Sequence, residues 1–322
     1  MVVWLRSVPK FRHCSRNELP NKQAWTRVNS GASSGTITRI LTAAILIPAV
    51  IALVWWGPTW LVAAAGGSVA LLALFEFFSL GARLNLQAYR FWTALCALGI
   101  FFQQWTAGAA QSYQVGRNLR LIRSSATPGF PLELVFFIFL LGCAATVFAS
   151  RRPLVDALGD IGISTSGLVF IALPLSAVVR IHGVGILGPK LLLFTLVLVW
   201  VGDTTAYFVG RSFGRVPMAA QLSPKKTWEG AAANLLGSVI VAVVMFRWLD
   251  IDAFQAVAMA GLANVAGQAG DLLKSAYKRG AGVKDSGTLL PGHGGVLDRI
   301  DALILAAPVV WYYFRFVLAS RF

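Results

Sequence analysis

Leu191–Arg211 reads LLLFTLVLVWVGDTTAYFVGR. The apolar run to which it belongs, 190–210, is long enough to cross a hydrocarbon layer, which takes about 20 mostly apolar residues. It is continuous rather than alternating, which favours a helix over a barrel strand. One carboxylate, Asp203, lies near its end. A lone charge in hydrocarbon costs about 2.5–3.5 kcal/mol even on the lenient insertion scale. Asp203 is therefore expected to face a wet cavity, a cation or a positive partner. A structural ion pair with a neighbouring helix would satisfy it, and so would a place in the wall of a polar site.

Similar runs recur along the chain. They fall at 38–56, 59–80, 91–107, 132–149, 160–180, 230–249, 251–270 and 302–319, which makes nine with the first. The third and fourth are short, and the eighth contains Asn264 and Gln268. The 322 residues are 57% hydrophobic and 13% charged, about half the charge of a soluble domain. The sequence predicts an all-α polytopic membrane protein with about nine transmembrane helices. Its polar site is expected to be built mainly from the C-terminal half and to face the cytoplasm. Three regions follow: a polar tail over 1–35, a lipid-facing scaffold over 36–190 and a catalytic region over 191–322. Eight of the 13 acidic residues lie after residue 200.

The formal charge of +15 points to orientation in a membrane and contact with anionic headgroups rather than to nucleic acid. With the N-terminus inside, 20 of the 28 Lys and Arg fall on the cytoplasmic side. That topology puts the 211–229 and 271–301 loops on one face. Cys14, Cys96 and Cys143 form no CxxC or metal-ligand spacing.

Three polar motifs follow Asp203. In QLSPKKTWEGAAAN, 221–234, Pro224 sets the backbone near a helix start and Thr227 can cap it. Lys225 and Lys226 beside a helix N-terminus make a seat for polyphosphate. In GQAGDLLKSAYKRGAGVKD, 267–285, Asp271, Lys274, Ser275 and Lys278 share one helical face. A cationic stripe beside a carboxylate suits phosphate together with metal. In PGHGGVLDRID, 291–301, the glycines allow close backbone approach, and Asp298 and Asp301 share a face at i, i+3. Hard oxygen ligands of this kind suit Mg²⁺. His293 shapes the loop or contacts phosphate; no second His or Cys stands at zinc-ligand spacing.

The string from Ser275 to Asp301, S-x-Y-K-R-x4-K-D-x-G-x2-L-P-G-H-G-G-V-x-D-R-I-D, resembles the signature of the phosphatidate cytidylyltransferase (CDP-diacylglycerol synthase) family. GDTTAYFVGRSFGR and LSPKKTWEG resemble its two upstream motifs. The resemblance implies that CTP and phosphatidate give CDP-diacylglycerol and pyrophosphate, by in-line attack of the lipid phosphate on the α-phosphorus. It implies Mg²⁺ at Asp271, Asp298 and Asp301, with a K⁺ ion as a companion. Asp271, Asp298, Lys278 and Arg279 are the catalytic expectations. Lys225, Lys226, Thr227, Ser275, Lys284, His293, Arg299 and Asp203 are the substrate-binding ones. Membrane lipids are expected partners, a homodimer is left open, and a bacterial inner (plasma) membrane is the expected location. Thr205, Tyr277, Ala302 and the 215–221 linker depart from the family's common residues.

Two rivals remain. A CTP-dependent lipid-alcohol kinase would release CDP instead of pyrophosphate. A transporter would carry its charges at mid-membrane rather than at one face.

Overall fold

The computed structural model describes residues 32–109, 131–150, 152–287 and 294–319. Among these, each predicted apolar run lies in a helix. We number the helices α1 (Ala32–Trp56), α2 (Thr59–Ala82), α3 (Arg90–Ala109) and α4 (Leu132–Ala149). There follow α5 (Leu154–His182), α6 (Leu187–Phe213), α7 (Trp228–Leu249), α8 (Ala253–Gly280) and α9 (Leu297–Leu318). Six of them, α2, α4, α5, α6, α7 and α9, are long and apolar enough to cross a membrane. The described apolar part of α1, Ala44–Trp56, is shorter. Polar residues dilute the other two: Gln103 and Gln104 in α3, and Gln255, Asn264 and Gln268 in α8. The chain is thus an all-α polytopic membrane protein. Because α1 begins at Ala32, the end of the expected tail is helical; residues 1–31 lie outside the described residues.

Local chemistry sets the helix ends. Proline stands at the N-cap of α2 (Pro58), α4 (Pro131) and α5 (Pro153). Asp252 caps α8, accepting from the amides of Phe254 (2.9 Å) and Gln255 (3.3 Å). Inside α5 a π-turn spans Leu168–Ala172, just before Pro174, whose missing N–H already weakens the α-helical ladder there.

Packing divides each helix into a protein face and an outer face. Phe77, Phe139, Phe194 and Leu74 are fully buried, whereas Phe148, Leu158 and Val244 project outward. In hydrocarbon such exposed side chains carry no penalty, and close helix contact relies on small residues. Gly142 shows this: a Cβ there would meet the Trp92 ring at 2.2 Å. The α2–α3 turn is tied to α5 by Asp160, which accepts from the Gln87 amide (2.7 Å) and pairs with Arg152 (2.5 Å).

One feature departs from an all-helical expectation. Between α6 and α7 the chain forms an antiparallel hairpin, β1 (Pro217–Ala219) with β2 (Ser223–Thr227). Prolines at 217 and 224 disfavour a helix there, and Ser223–Thr227 becomes a strand that runs into the cap of α7. Arg279, near the end of α8, donates to the Leu222 carbonyl (3.0 Å) and fastens the hairpin over the helix ends. The hairpin and the C-terminal end of α8 therefore meet at one end of these helices.

Two family departures have local explanations. Tyr277 packs edge-on against Phe77 (5.3 Å) and Phe170 (5.2 Å), joining α8 to α2 and to the π-turn of α5. The Thr205 hydroxyl lies within hydrogen-bond distance of the Gly202 (2.8 Å) and Ala233 (3.0 Å) carbonyls. It fits because residue 237 is glycine, where a Cβ would lie 2.5 Å from the Thr205 Oγ1.

Candidate functional site

The site begins where α6, α7 and α8 pack together. Gly202 lets α7 come close, since a Cβ there would lie 2.2 Å from the Asn234 Oδ1. Asn234 then donates to the Asp203 carboxylate (3.3 Å). Behind it Asn264 donates to the Ser238 hydroxyl (2.7 Å), and Gln268 donates to the Asn264 Oδ1 (2.7 Å) and the Ala231 carbonyl (3.2 Å). This chain of amides explains why α8 tolerates Asn and Gln: each amide has partners within the helix bundle.

Above the network lies a cleft of about 290 Å³, roofed by the hairpin. Asp203, Lys225, Lys226, Thr227, Gln268 and Asp271 line it. Five of these six are residues that the sequence nominated. Lys225 is exposed at the rim, while Lys226 reaches across to pair with Asp271. Thr227 caps α7, its Oγ1 accepting from the Gly230 amide (3.2 Å).

On the other side of Asp271 the charges are buried. The Lys274 side chain is 6% exposed. Its ammonium stands 3.4 Å from Asp271 and 3.2 Å from Asp298, and it donates to Asp301. Lys278 donates to Asp298 at 2.7 Å. Asp298 Oδ2 accepts from the Ser286 amide (3.2 Å) and lies 2.9 Å from the Ser286 hydroxyl. Asp301 Oδ1 accepts from the Ala302 amide (2.8 Å). Asp298 and Asp301 thus share a helical face, as their spacing predicts.

Asp271 and Lys274 lie beyond the apolar part of α8, and their charges support each other. Burial alone would push the Asp271 carboxyl up, but Lys226 and Lys274 hold it below the usual carboxylate range. Burial would likewise push the Lys274 ammonium down, and Asp301, Asp271 and Asp298 hold it above its usual range instead. Both groups therefore stay charged across neutral pH.

The remaining nominated residues are placed differently. The Ser275 hydroxyl turns back to the Asp271 carbonyl (2.9 Å) and does not line the cleft. Arg279 holds the hairpin. Lys284 and Arg299 are exposed, away from the cleft lining. His293 lies outside the described residues. Lys274 belongs to the predicted cationic stripe of α8 but is not among the individual catalytic or binding expectations. Asn234, Gln268 and Glu76 were missed altogether. For Glu76 a signal existed: it is a lone carboxylate inside an apolar run, as Asp203 is.

Fold and site together define a helical membrane protein with charged residues gathered at one end of its helices, around an open cleft and a buried lysine ringed by three aspartates. The chain belongs to the cytidylyltransferase family, whose model matches residues 37–317. It is 34% identical to the phosphatidate cytidylyltransferase of Haemophilus influenzae over 297 residues, 87% of this chain and 99% of that protein. It is 32% identical to the phosphatidate cytidylyltransferase of Bacillus subtilis over 183 residues, 56% of this chain and 67% of that one.

Proposed function

We propose that this chain transfers the cytidylyl group of CTP to phosphatidate, giving CDP-diacylglycerol and pyrophosphate for phospholipid synthesis. The observation that carries the reading is the meeting of Lys226 and Asp271 at the edge of the cleft, in a chain of this family. The lysines of the hairpin and the aspartates of α8 and α9 supply the two sets of charges that a triphosphate reaction needs, and they do so at one place.

Lys225 and Lys226 hold the triphosphate, assisted by the positive end of α7 below Thr227. Asp203, fixed by Asn234, forms the wall of the cleft. Among the described residues no three His, Cys, Asp or Glu side chains are spaced to enclose a metal by themselves. Mg²⁺ does not need such a cage: one or two carboxylates plus substrate phosphates suffice. The donor set fits that description, with Asp271 and Asp298 as the holders and Asp301 as a third carboxylate behind Lys274. When bound, the ion supplies Lewis-acid polarisation of the α-phosphoryl group and charge neutralisation at the leaving pyrophosphate. Lys278 keeps Asp298 oriented, and the fixed ammonium of Lys274 keeps three like charges within reach of each other. No protein nucleophile is required, because the phosphate of phosphatidate is already an anionic oxygen nucleophile. Catalysis is then positioning plus electrostatics.

The location follows from the same charges. By sequence, 20 of the 28 Lys and Arg fall on the side of the 211–229 and 271–301 loops, which supports a cytoplasm-facing site in a bacterial inner membrane with nine helices crossing.

The test is product analysis with the full-length chain in detergent, using CTP, phosphatidate and Mg²⁺. Pyrophosphate and CDP-diacylglycerol in equal amounts are expected. In a parallel reaction with a lipid alcohol in place of phosphatidate, release of CDP with the phosphorylated alcohol would replace this reading with that of a kinase. An unchanged rate after exhaustive EDTA treatment would remove the metal from it.

A further inference from the structure

Glu76 belongs to α2, far in sequence from every residue of the site. Its carboxylate is 2% exposed. Oε1 accepts from the Val296 amide (2.8 Å), and Oε2 accepts from the Leu297 amide (2.9 Å) and the Ser286 hydroxyl (3.1 Å). Val296 and Leu297 form the start of α9, whose second residue is Asp298. Ser286 is the residue whose amide holds the Asp298 carboxylate. Glu76 therefore grips Asp298 from both sides, through the backbone that carries it and through the serine that orients it.

The backbone around Glu76 is shaped to admit it. A Cβ on Gly295 would lie 2.4 Å from Oε2, and one on Gly287 would lie 2.8 Å from Oε1. Two glycines of the 278–301 stretch are thus explained by a carboxylate more than 200 residues away. The first amides of a helix have no partners within it, and the helix dipole favours an anion there. α9 carries no side-chain cap of its own, and Glu76 takes that place.

We infer that Glu76 is the positioning residue for Asp298: it fixes the first turn of α9 and the Ser286 hydroxyl so that Asp298 is held in its working orientation. The inference rests on the role proposed above for Asp298. It is tested by measuring kcat, KM for CTP and thermal unfolding of the full-length protein for Glu76→Gln, Glu76→Asp and Asp298→Asn. Gln keeps the size but turns an amide donor toward donors. Loss of a residue that orients a metal ligand typically lowers activity about 10–100-fold. A fall of that size in kcat for Glu76→Gln is expected, with KM for CTP within about twofold because the cleft is untouched, and with partial recovery in Glu76→Asp. Near-normal kcat in Glu76→Gln beside an inactive Asp298→Asn overturns the inference alone, whereas near-normal kcat in Asp298→Asn overturns the functional reading beneath it. Should Glu76→Gln fail to fold, Glu76→Asp decides, since it keeps the charge but shortens its reach to the Val296 and Leu297 amides: a selective fall in kcat with KM for CTP unchanged supports the inference, and unchanged kcat refutes it.

Discussion

On one side of α8, Asp271 meets Lys226, a side chain still 28% exposed and carried on a two-stranded hairpin. On the other side, Lys274 is 6% exposed, and Asp298 and Asp301 around it are each 12% exposed. On the first side Lys225 stands exposed at an open cleft, while the Lys226 ammonium is buried against Asp271. Those of the second side are paired internally and fixed by Ser286, Lys278 and, at one remove, Glu76. A ligand that arrives and leaves needs the first kind of surface, where Lys225 is exposed and a single pair, Lys226 with Asp271, lines the cleft. A group that must stay in place through every turnover needs the second. Asp271 touches both, with one oxygen toward Lys226 and the other toward Lys274.

The largest effect should come from breaking the buried side at its functional end. Asp298→Asn and Asp271→Asn each remove a charge at the reacting phosphates, and kcat should fall by about 10³-fold or more. The protein should still insert and still purify with its helices intact, as circular dichroism would show. Turnover within a few-fold of the parent in both variants would mean that the aspartates serve the fold alone.

Lys274 sharpens the contrast in another currency. Removing one partner of a buried ion pair costs about 3–5 kcal/mol, because the remaining charge is left without compensation. Lys274→Met leaves three aspartates facing one another, so both stability and turnover should suffer. Thermal unfolding in detergent should show a clear drop, and adding Mg²⁺ should restore part of it. Unaltered stability would show that water, rather than Lys274, compensates these carboxylates.

The cleft side predicts the reverse pattern. Lys225→Ala and Lys226→Ala should each raise KM for CTP about tenfold, the weight of one charge-assisted phosphate contact of about 1.5 kcal/mol. Stability should change little for Lys225, which is exposed. Lys226→Ala should also free Asp271, so its effect should include a smaller loss of kcat. Equal KM in parent and variants would move the triphosphate away from the hairpin.

What the sequence revealed follows the same division. The nine apolar runs all appear as helices, because continuous hydrophobicity over some 20 residues leaves the backbone no other way to satisfy itself in lipid. Asp203, Lys225, Lys226, Thr227 and Asp271 were legible because each stands in a short polar motif at the end of such a run. The hairpin was not, since Pro217 and Pro224 announce only that a helix is absent. Glu76 is one of only five acidic residues before residue 200 and stands alone in its apolar run. The cost of its burial was visible in the sequence, but its partners, Ser286, Val296 and Leu297, become neighbours only once α2 packs beside α9. Lys274 was read onto the correct face, yet spacing along one helix could not show that Asp298 and Asp301 of another helix would close around it.

Thr227 gives the smallest effect and the finest test of the division between the two sides. It lines the cleft and also caps α7, accepting from the Gly230 amide. A cap of this kind contributes about 1 kcal/mol, and serine can replace it. If capping is its whole task, Thr227→Ala should lower the unfolding temperature slightly, Thr227→Ser should restore it, and KM for CTP should stay near that of the parent in both. If its hydroxyl also serves the triphosphate, Thr227→Ala should raise KM beyond anything the stability change explains, and Thr227→Ser should bring it back. The first outcome keeps ligand binding on the lysines alone. The second makes the start of α7 part of the nucleotide seat, with the helix amides presented to phosphate only while the cap holds them in place.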